Sequence, residues 1–294
     1  PSLPAGLVAE WGIPGRVDGA FVKPRVVDCI GSDRVVVIDR SGRVQFFSPD
    51  GVFLGKFVLR NTERGFPTGM AVSPDGNLWV AETHAYRVGV YKPDGTELLA
   101  FGSQGVEDGQ FIYVTDVALG PSGEVYACDF GGPDRVQKFD SAGRFLLKWG
   151  GAGTEPGMFN RPQAMAVAPD GSVFVADACN DRIQKFDPDG NCLGVYGSTG
   201  DEPGRLRYPY DLAFGPDGLL YIAEYGNCRI QRMTQDGLFS GTWGSIGSRP
   251  GQLAQPWAVA FNSTGTLLIV DSGNSRVVVL DPAKAQWSPI LKGG

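Results

Sequence analysis

The sequence repeats a glycine turn at a nearly constant interval. A Pro-Asp-Gly turn or a close equivalent ends at Gly76, Gly123, Gly171, Gly218 and Gly265, which are 47, 48, 47 and 47 residues apart. A second glycine turn follows within each unit. A fixed period of about 20–50 residues is the signature of repeat architectures, in which each unit packs against its neighbours. The chain must therefore fold from repeated structural units.

Short runs with strand character lie between the turns. In one unit they are GMAVS, LWVAE, RVGVYK and LLAFG, at residues 69–73, 78–82, 87–92 and 98–102. Alternating apolar residues, many of them β-branched or aromatic, favour strands over helices. Four antiparallel strands joined by tight turns form one blade of a β-propeller. Each repeat is therefore predicted to be one blade, with the first run innermost.

Six units can be counted, and the sixth is incomplete. They begin near Lys23, Phe66, Tyr113, Arg161, Tyr208 and Gln255. The outer strand missing from the sixth is present at the other end of the chain, where residues 7–12 read LVAEWG. Pairing the first and last segments in one sheet closes the ring and protects both ends.

We therefore predict an all-β fold, a six-bladed β-propeller of four-stranded antiparallel blades that is closed when the N-terminal strand completes blade 6. Residues 1–294 form a single domain in this prediction. The predicted blades cover about 23–60, 66–104, 113–152, 161–200, 208–246, and 255–281 together with 7–12.

Two segments carry a further motif. Residues 177–186 and 271–280 follow the pattern D-x-x-N-x-R-[VI]-x-x-[FL], and a pattern P-x-x-[ML]-A-[VF]-x-P-D-G leads into the glycine turns. Together these motifs resemble the NHL repeat over nearly the whole chain, and blade 1 departs most, with Ile30-Gly31-Ser32-Asp33 at its first turn. The resemblance implies the propeller fold. It leaves the activity open, because the family includes RNA-binding modules, protein-interaction scaffolds, sensor domains and lyases.

Charge and composition narrow the classes of function. The formal net charge is -6, and positive and negative residues nearly balance on the inter-blade links, which argues against a nucleic-acid partner. No run approaches the roughly 18 apolar residues of a membrane span. The five cysteines show no CxxC spacing and are expected to be mostly buried, unreactive thiols. We expect a soluble monomer and leave its compartment open, either the cytoplasm or a larger exported protein.

An acid at the end of the second strand and an arginine at the start of the third recur in every blade. The acids are Asp39, Glu82, Asp129, Asp177, Glu224 and Asp271, and the arginines are Arg43, Arg87, Arg135, Arg182, Arg229 and Arg276. Such a ring can bind a charged ligand, or each arginine can hold its own loop or the next blade through charge-assisted hydrogen bonds. Sixfold repetition favours the structural interpretation, because a ligand site rarely needs six equal copies.

Candidate binding residues are those that differ between blades at the loop end of the channel. The tight turns lie on one side of the ring, so the variable loops gather on the other, where rigid scaffolds usually carry function. A mostly apolar mouth with a few polar groups is typical of a ligand or peptide pocket. The predicted binding residues are Arg25, His84, Tyr86, Asp116, Phe130, Gln163, Tyr210, Asp211, Tyr225 and Trp257.

These residues favour a binding or scaffold propeller that presents its loop face and channel mouth to a protein, a peptide or a small ligand. One alternative is a metal-assisted enzyme of the lyase or lactonase type. The multi-histidine zinc site of similar lyases is excluded because His84 is the single histidine. No catalytic residue is assigned. A second alternative is an RNA-binding NHL domain.

No cofactor is predicted, with one exception at the channel mouth. A hard cation such as calcium prefers oxygen ligands, and Asp116 and Asp211 are the surplus carboxylates that can supply them. Glu82 and Glu224 are also conceivable ligands, but both belong to the repeated acid positions described above.

Overall fold

The computed structural model describes residues 3–60, 62 and 65–289, and within these ranges the chain is almost entirely strand and turn. The N-terminal strand is β1 (Leu7–Trp11). Blade 1 contains β2 (Pro24–Ile30), β3 (Arg34–Asp39), β4 (Arg43–Phe47) and β5 (Phe53–Val58). Blade 2 contains β6 (Gly69–Val72), β7 (Leu78–Glu82), β8 (Arg87–Tyr91) and β9 (Glu97–Phe101). Blade 3 contains β10 (Tyr113–Leu119), β11 (Val125–Phe130), β12 (Arg135–Phe139) and β13 (Phe145–Gly150).

The second half of the ring repeats this plan. Blade 4 contains β14 (Pro162–Val167), β15 (Val173–Asp177), β16 (Arg182–Phe186) and β17 (Cys192–Tyr196). Blade 5 contains β18 (Pro209–Phe214), β19 (Leu220–Glu224), β20 (Arg229–Met233) and β21 (Phe239–Trp243). Blade 6 contains β22 (Pro256–Phe261), β23 (Leu267–Asp271) and β24 (Arg276–Leu280). One-turn 3-10 helices, Thr83–Ala85, Ala178–Asn180 and Ser272–Asn274, follow the second strands of blades 2, 4 and 6.

The described strands form six antiparallel four-stranded sheets arranged as a ring. The last sheet has the order β1-β24-β23-β22, so the first strand of the chain is the outermost strand of blade 6. In that pairing Ala9 lies opposite Val279 and Trp11 lies opposite Val277. The predicted six-bladed propeller and its closure by the N-terminal strand are confirmed.

The hydrophobic core lies between neighbouring blades rather than at the centre of the ring. One buried cluster, for example, joins Val27 and Val37 of blade 1 to Val270 and Val277 of blade 6, and Trp11 packs against it. Equivalent clusters fill the other blade-to-blade interfaces. Because burial of each such aliphatic side chain contributes about 1.5–3 kcal/mol, these interfaces hold the channel-facing strands rigidly in place.

The repeated acids and arginines form ion pairs within each blade, with N···O distances of 2.5–3.6 Å. In blade 4, Arg182 also donates to the carbonyl oxygens of Thr154, Glu155 and Met158 in the preceding inter-blade link, at 2.6–3.0 Å. Asp177 accepts a hydrogen bond of 2.7 Å from the backbone N–H of Asn160 in that link. The geometry agrees with the structural interpretation, because these pairs hold the links between blades.

Candidate ligand-binding site at the channel mouth

A β-bulge lies at the start of the innermost strand in five of the six blades. In blade 1, Pro24 pairs with Asp39 and Val26 pairs with Ile38, so Arg25 has no partner in the ladder. The residues bulged in the same way in the other blades are Thr115, Gln163, Tyr210 and Trp257. A bulge redirects one side chain out of the regular alternation. The bulges therefore direct these side chains to the loop end of the channel.

Four bulged residues share a pocket with the surrounding loops, which we call the mouth pocket. Its volume is ≈ 250 Å³, just below the roughly 300–1,000 Å³ common for small-molecule sites. The lining residues are Arg25, Thr68, Thr83, His84, Tyr113, Thr115, Phe130, Arg161, Gln163 and Trp257. Aromatic walls, hydroxyl groups and two guanidinium groups thus surround one small space.

Both arginines of the mouth pocket lie over aromatic rings. The guanidinium carbon of Arg25 lies 4.5 Å from the ring centroid of Trp257. That of Arg161 lies 5.1 Å from the centroid of Phe130 and 5.7 Å from that of Tyr210. These distances fall within the range of cation–π attraction, which is about 6 Å. Stacking therefore fixes the two charged groups on the pocket walls.

The aromatic residues of the mouth contact one another as well. Tyr210 and Tyr225 stack with their centroids 4.5 Å apart, and Trp257 meets Tyr210 edge-on at 4.9 Å. The rings of Tyr113 and Phe130, which also line the mouth pocket, are 5.2 Å apart. Such offset and edge-to-face pairs stabilise their own arrangement. The walls are consequently preorganised.

Several polar atoms at the mouth are buried without a hydrogen-bond partner among the described residues. They are Nε of Arg25, Nδ1 of His84 and Nε1 of Trp257. Burial, and then the charges of Arg40 and Arg161, lower the pKa of Arg25 to about 10, so it remains a cation at neutral pH. Burial and the charge of Arg25 lower the pKa of His84 below its usual value, so the imidazole is neutral at pH 7.

Three carboxylates lie deeper, in the central channel of ≈ 290 Å³. Asp28, Asp116 and Asp211 belong to alternate blades, and each accepts a 2.8 Å hydrogen bond from a backbone N–H on the innermost strand of the next blade. The donors are Val72, Met165 and Val259. These carboxylates therefore join blades 1 to 2, 3 to 4 and 5 to 6.

The environment of the channel favours the protonated form of these acids. Burial raises the pKa of Asp28 to about 6 and that of Asp211 to about 7. Burial, and then the nearby charge of Asp211, hold the pKa of Asp116 well above its usual range. Among the described residues no group of three or more His, Cys, Asp or Glu side chains is arranged to hold a metal ion. A cation on Asp116 and Asp211 stays a prediction from the sequence.

The structure separates the predicted binding residues into four groups. Five line the mouth pocket, namely Arg25, His84, Phe130, Gln163 and Trp257. Tyr210 and Tyr225 support its wall, and Asp116 and Asp211 lie in the channel beneath. Tyr86 contributes to neither lining and instead follows the 3-10 helix Thr83–Ala85 in the left-handed conformation. Glu82 and Glu224 are each bound to the arginine of their own blade.

Six residues of this region are absent from the predicted set, namely Thr68, Thr83, Tyr113, Thr115 and Arg161 in the mouth pocket and Asp28 in the channel. Arg161 is the predicted start of blade 4 and lies on an inter-blade link, so its position in the sequence did not indicate that it lines the mouth pocket. Asp28 was not considered, although the period-2 alternation of β2 places it on the same side as Val26, which also lines the channel. The thiols also differ in part from expectation, because Cys128 and Cys228 are buried whereas Cys179 is exposed. Cys179 is exposed because it lies in the one-turn helix Ala178–Asn180 on the loop face.

Comparisons with known proteins agree with this architecture. The NHL repeat model matches residues 65–91, 159–186, 206–233 and 253–280. Among curated protein sequences none matches the chain. No helix in the described ranges is long and apolar enough to cross a membrane.

Solved structures that resemble the chain include two lyases and a WD40 propeller domain. A streptogramin B lyase has a TM-score of 0.67 at 15% identity, with 95% of this chain and 97% of that chain covered. A catalytically inactive variant of virginiamycin B lyase from Staphylococcus aureus with quinupristin has a TM-score of 0.64 at 17% identity, covering 91% and 84%. The WD40 propeller domain of Doa1 has a TM-score of 0.62 at 14% identity, covering 96% and 98%. At such identities the likeness concerns the fold alone.

Proposed function

Since the chain is an NHL-repeat six-bladed β-propeller, we propose that it is a binding propeller whose mouth pocket holds a small organic molecule. The observation that carries this proposal is the convergence of bulged side chains from different blades on one pocket of ≈ 250 Å³. The six-blade ring supplies a rigid support, and the loops supply the variation between blades. Among the partners considered from the sequence, a small ligand suits this concave pocket best.

The composition of the walls supports the same conclusion. Small-molecule sites are mostly apolar and carry a few placed polar groups. Trp257, Phe130 and Tyr113 provide flat apolar surface, while Thr68 and Gln163 provide hydrogen-bonding groups. The unpartnered nitrogen atoms of Arg25 and Trp257 are donors that a ligand can satisfy.

Ligand-observed fluorine NMR with a library of small fluorinated aromatic compounds tests the proposal. We expect some compounds to show fluorine signals that broaden when the wild-type protein is added. This broadening should disappear with Trp257→Ala, because that ring forms one wall of the pocket. Leu238→Ala, at a site with 70% exposure, serves as the control and should retain binding. A cooperative unfolding transition close to that of the wild type would show that Trp257→Ala still folds. Absence of any compound whose binding depends on Trp257 would contradict the proposal.

A second candidate function is a lyase, favoured by the position of His84. Its neutral imidazole lines the mouth pocket, and its Nδ1 atom has no partner among the described residues. In this candidate His84 acts as the base that removes a proton from the bound substrate. Incubation with quinupristin, followed by chromatography, would support the candidate if product formed with the wild type and not with His84→Gln. Unchanged quinupristin with both proteins would contradict lyase activity on this compound.

A further inference from the structure

The mouth pocket has an unusual charge balance. Of its ten lining residues, Arg25 and Arg161 carry positive charge at neutral pH and none is acidic. Within the described residues neither arginine forms a salt bridge. Arg161 donates through Nε to Oε1 of Gln163 at 3.2 Å. The mouth pocket therefore carries two positive charges and has no acidic side chain in its lining to balance them.

The arginines of the repeated acid–arginine pairs each have an anionic partner. The arginine that begins the third strand of each blade is paired with the acid of the same blade, and Arg276 has a second acidic partner in Glu10. Arg25 and Arg161, by contrast, line the mouth pocket and have no acidic partner among the described residues. For Arg25 and Arg161, which are partly removed from water, the aromatic rings and the hydrogen bond to Gln163 replace only part of the lost solvation, because no anion balances the charge.

From these observations we infer that the mouth pocket selects an organic anion, a small molecule with an oxyanion group and a flat apolar body. This inference rests on the proposed binding function and specifies the chemical class of the ligand. Guanidinium groups match carboxylate and phosphate oxygens through paired N–H donors. Trp257 and Phe130, each beneath one of the two guanidinium groups, supply the flat walls for the apolar body.

The charges of the channel set the orientation of the anion. Asp28, Asp116 and Asp211 lie in the channel beneath the mouth, where any ionised form repels a second anion. The oxyanion group consequently lies at the level of Arg25 and Arg161, and the apolar body packs on the aromatic walls rather than descending the channel.

Fluorine NMR with four matched probes tests the charge preference. The probes are para-fluorobenzoate, para-fluorophenyl phosphate, para-fluorobenzyl alcohol and para-fluorobenzylamine, which share a ring and differ in charge. We expect at least one anionic probe to bind about tenfold more tightly than the alcohol, and the amine to bind weakest. Tenfold corresponds to about 1.4 kcal/mol, within reach of one charge-assisted hydrogen bond. The comparison of benzoate with phosphate identifies which oxyanion the pocket prefers.

Substitution of the two arginines tests whether they cause the preference for anionic probes. Arg25→Gln and Arg161→Gln should each weaken binding of the anionic probe about tenfold and leave binding of the alcohol nearly unchanged. Arg144→Gln, at a side chain with 80% exposure on an outer turn, is the matched control and should bind as the wild type does. Thermal unfolding verifies that each variant is folded. If one arginine variant does not fold, the other still tests the preference for anions.

The outcomes distinguish this inference from the proposed function. If the alcohol or the amine bound at a Trp257-dependent site as tightly as the anions, the anion preference would be overturned while the binding function stood. If no probe bound, and no compound of the wider library did, both would fail. Anion binding that survived both arginine substitutions would place the anion elsewhere and also overturn the inference.

Discussion

The acid and arginine of blade 4 allow a quantitative prediction. Asp177 is fully buried and accepts hydrogen bonds from the backbone N–H of Asn160 at 2.7 Å, from Nδ2 of Asn180 at 2.9 Å and from Nε of Arg182 at 2.7 Å. Asp177→Ala removes these acceptors and leaves the largely buried guanidinium of Arg182 without its anion. Breaking a buried pair in this way costs about 3–5 kcal/mol. We therefore expect the free energy of unfolding to fall by that amount.

Urea and thermal unfolding measure this effect. For a chain of this size a loss of about 1 kcal/mol lowers the melting temperature by about 2–4 °C, so a fall of about 6–20 °C is expected. Asp108→Ala is the control, because Asp108 forms an exposed ion pair with Lys148, and such pairs contribute about 0–1 kcal/mol. A loss below about 1 kcal/mol for Asp177→Ala would refute the structural role of the pairs. The ring of charged pairs would then have to be reconsidered as a ligand site.

Three further predictions concern closure and the channel. Deletion of residues 1–12 removes β1 from blade 6 and should lower the melting temperature strongly; an unchanged value would show that closure does not depend on this strand. Gly69→Ala should lower the free energy of unfolding by about 1–3 kcal/mol in chemical unfolding, because the added Cβ would lie 2.2 Å from Oδ1 of Asp116. An unfolding free energy equal to that of the wild type would show that the channel adjusts to the added methyl group. The raised pKa of Asp211, about 7 against 3.8, means that its stabilising contribution is complete below about pH 4 and is lost as pH rises through about 7. Asp211→Asn should therefore gain stability relative to the wild type between about pH 4 and pH 7, and parallel pH profiles would contradict the assignment.

The fold could be predicted because its evidence is repeated along the chain. Glycine turns at a constant interval, period-2 runs and the LVAEWG segment at the N-terminus each point to the same ring. The repeated acids and arginines were also interpretable, because six equal copies favour a shared structural role. Local sequence was sufficient for these features since every blade uses the same local contacts.

The site was less predictable because it depends on contacts between blades. Arg161 is adjacent in the sequence to other link residues, and only the ring brings it to the same pocket as Arg25. The bulges that redirect Arg25 and Trp257 are differences of ladder register, which the residues themselves do not reveal. Tyr86 is an aromatic loop residue and therefore a candidate by type, yet it follows a one-turn helix and does not line the pocket.

The most direct test of the anion-binding mouth is a crystal structure of the protein soaked with para-bromobenzoate, with the bromine located by its anomalous scattering. The account predicts one bromine peak between the rings of Trp257 and Phe130, with the carboxylate within hydrogen-bond distance of Arg25 or Arg161. A carboxylate turned towards the channel, or bromine peaks only outside the mouth pocket, would contradict it.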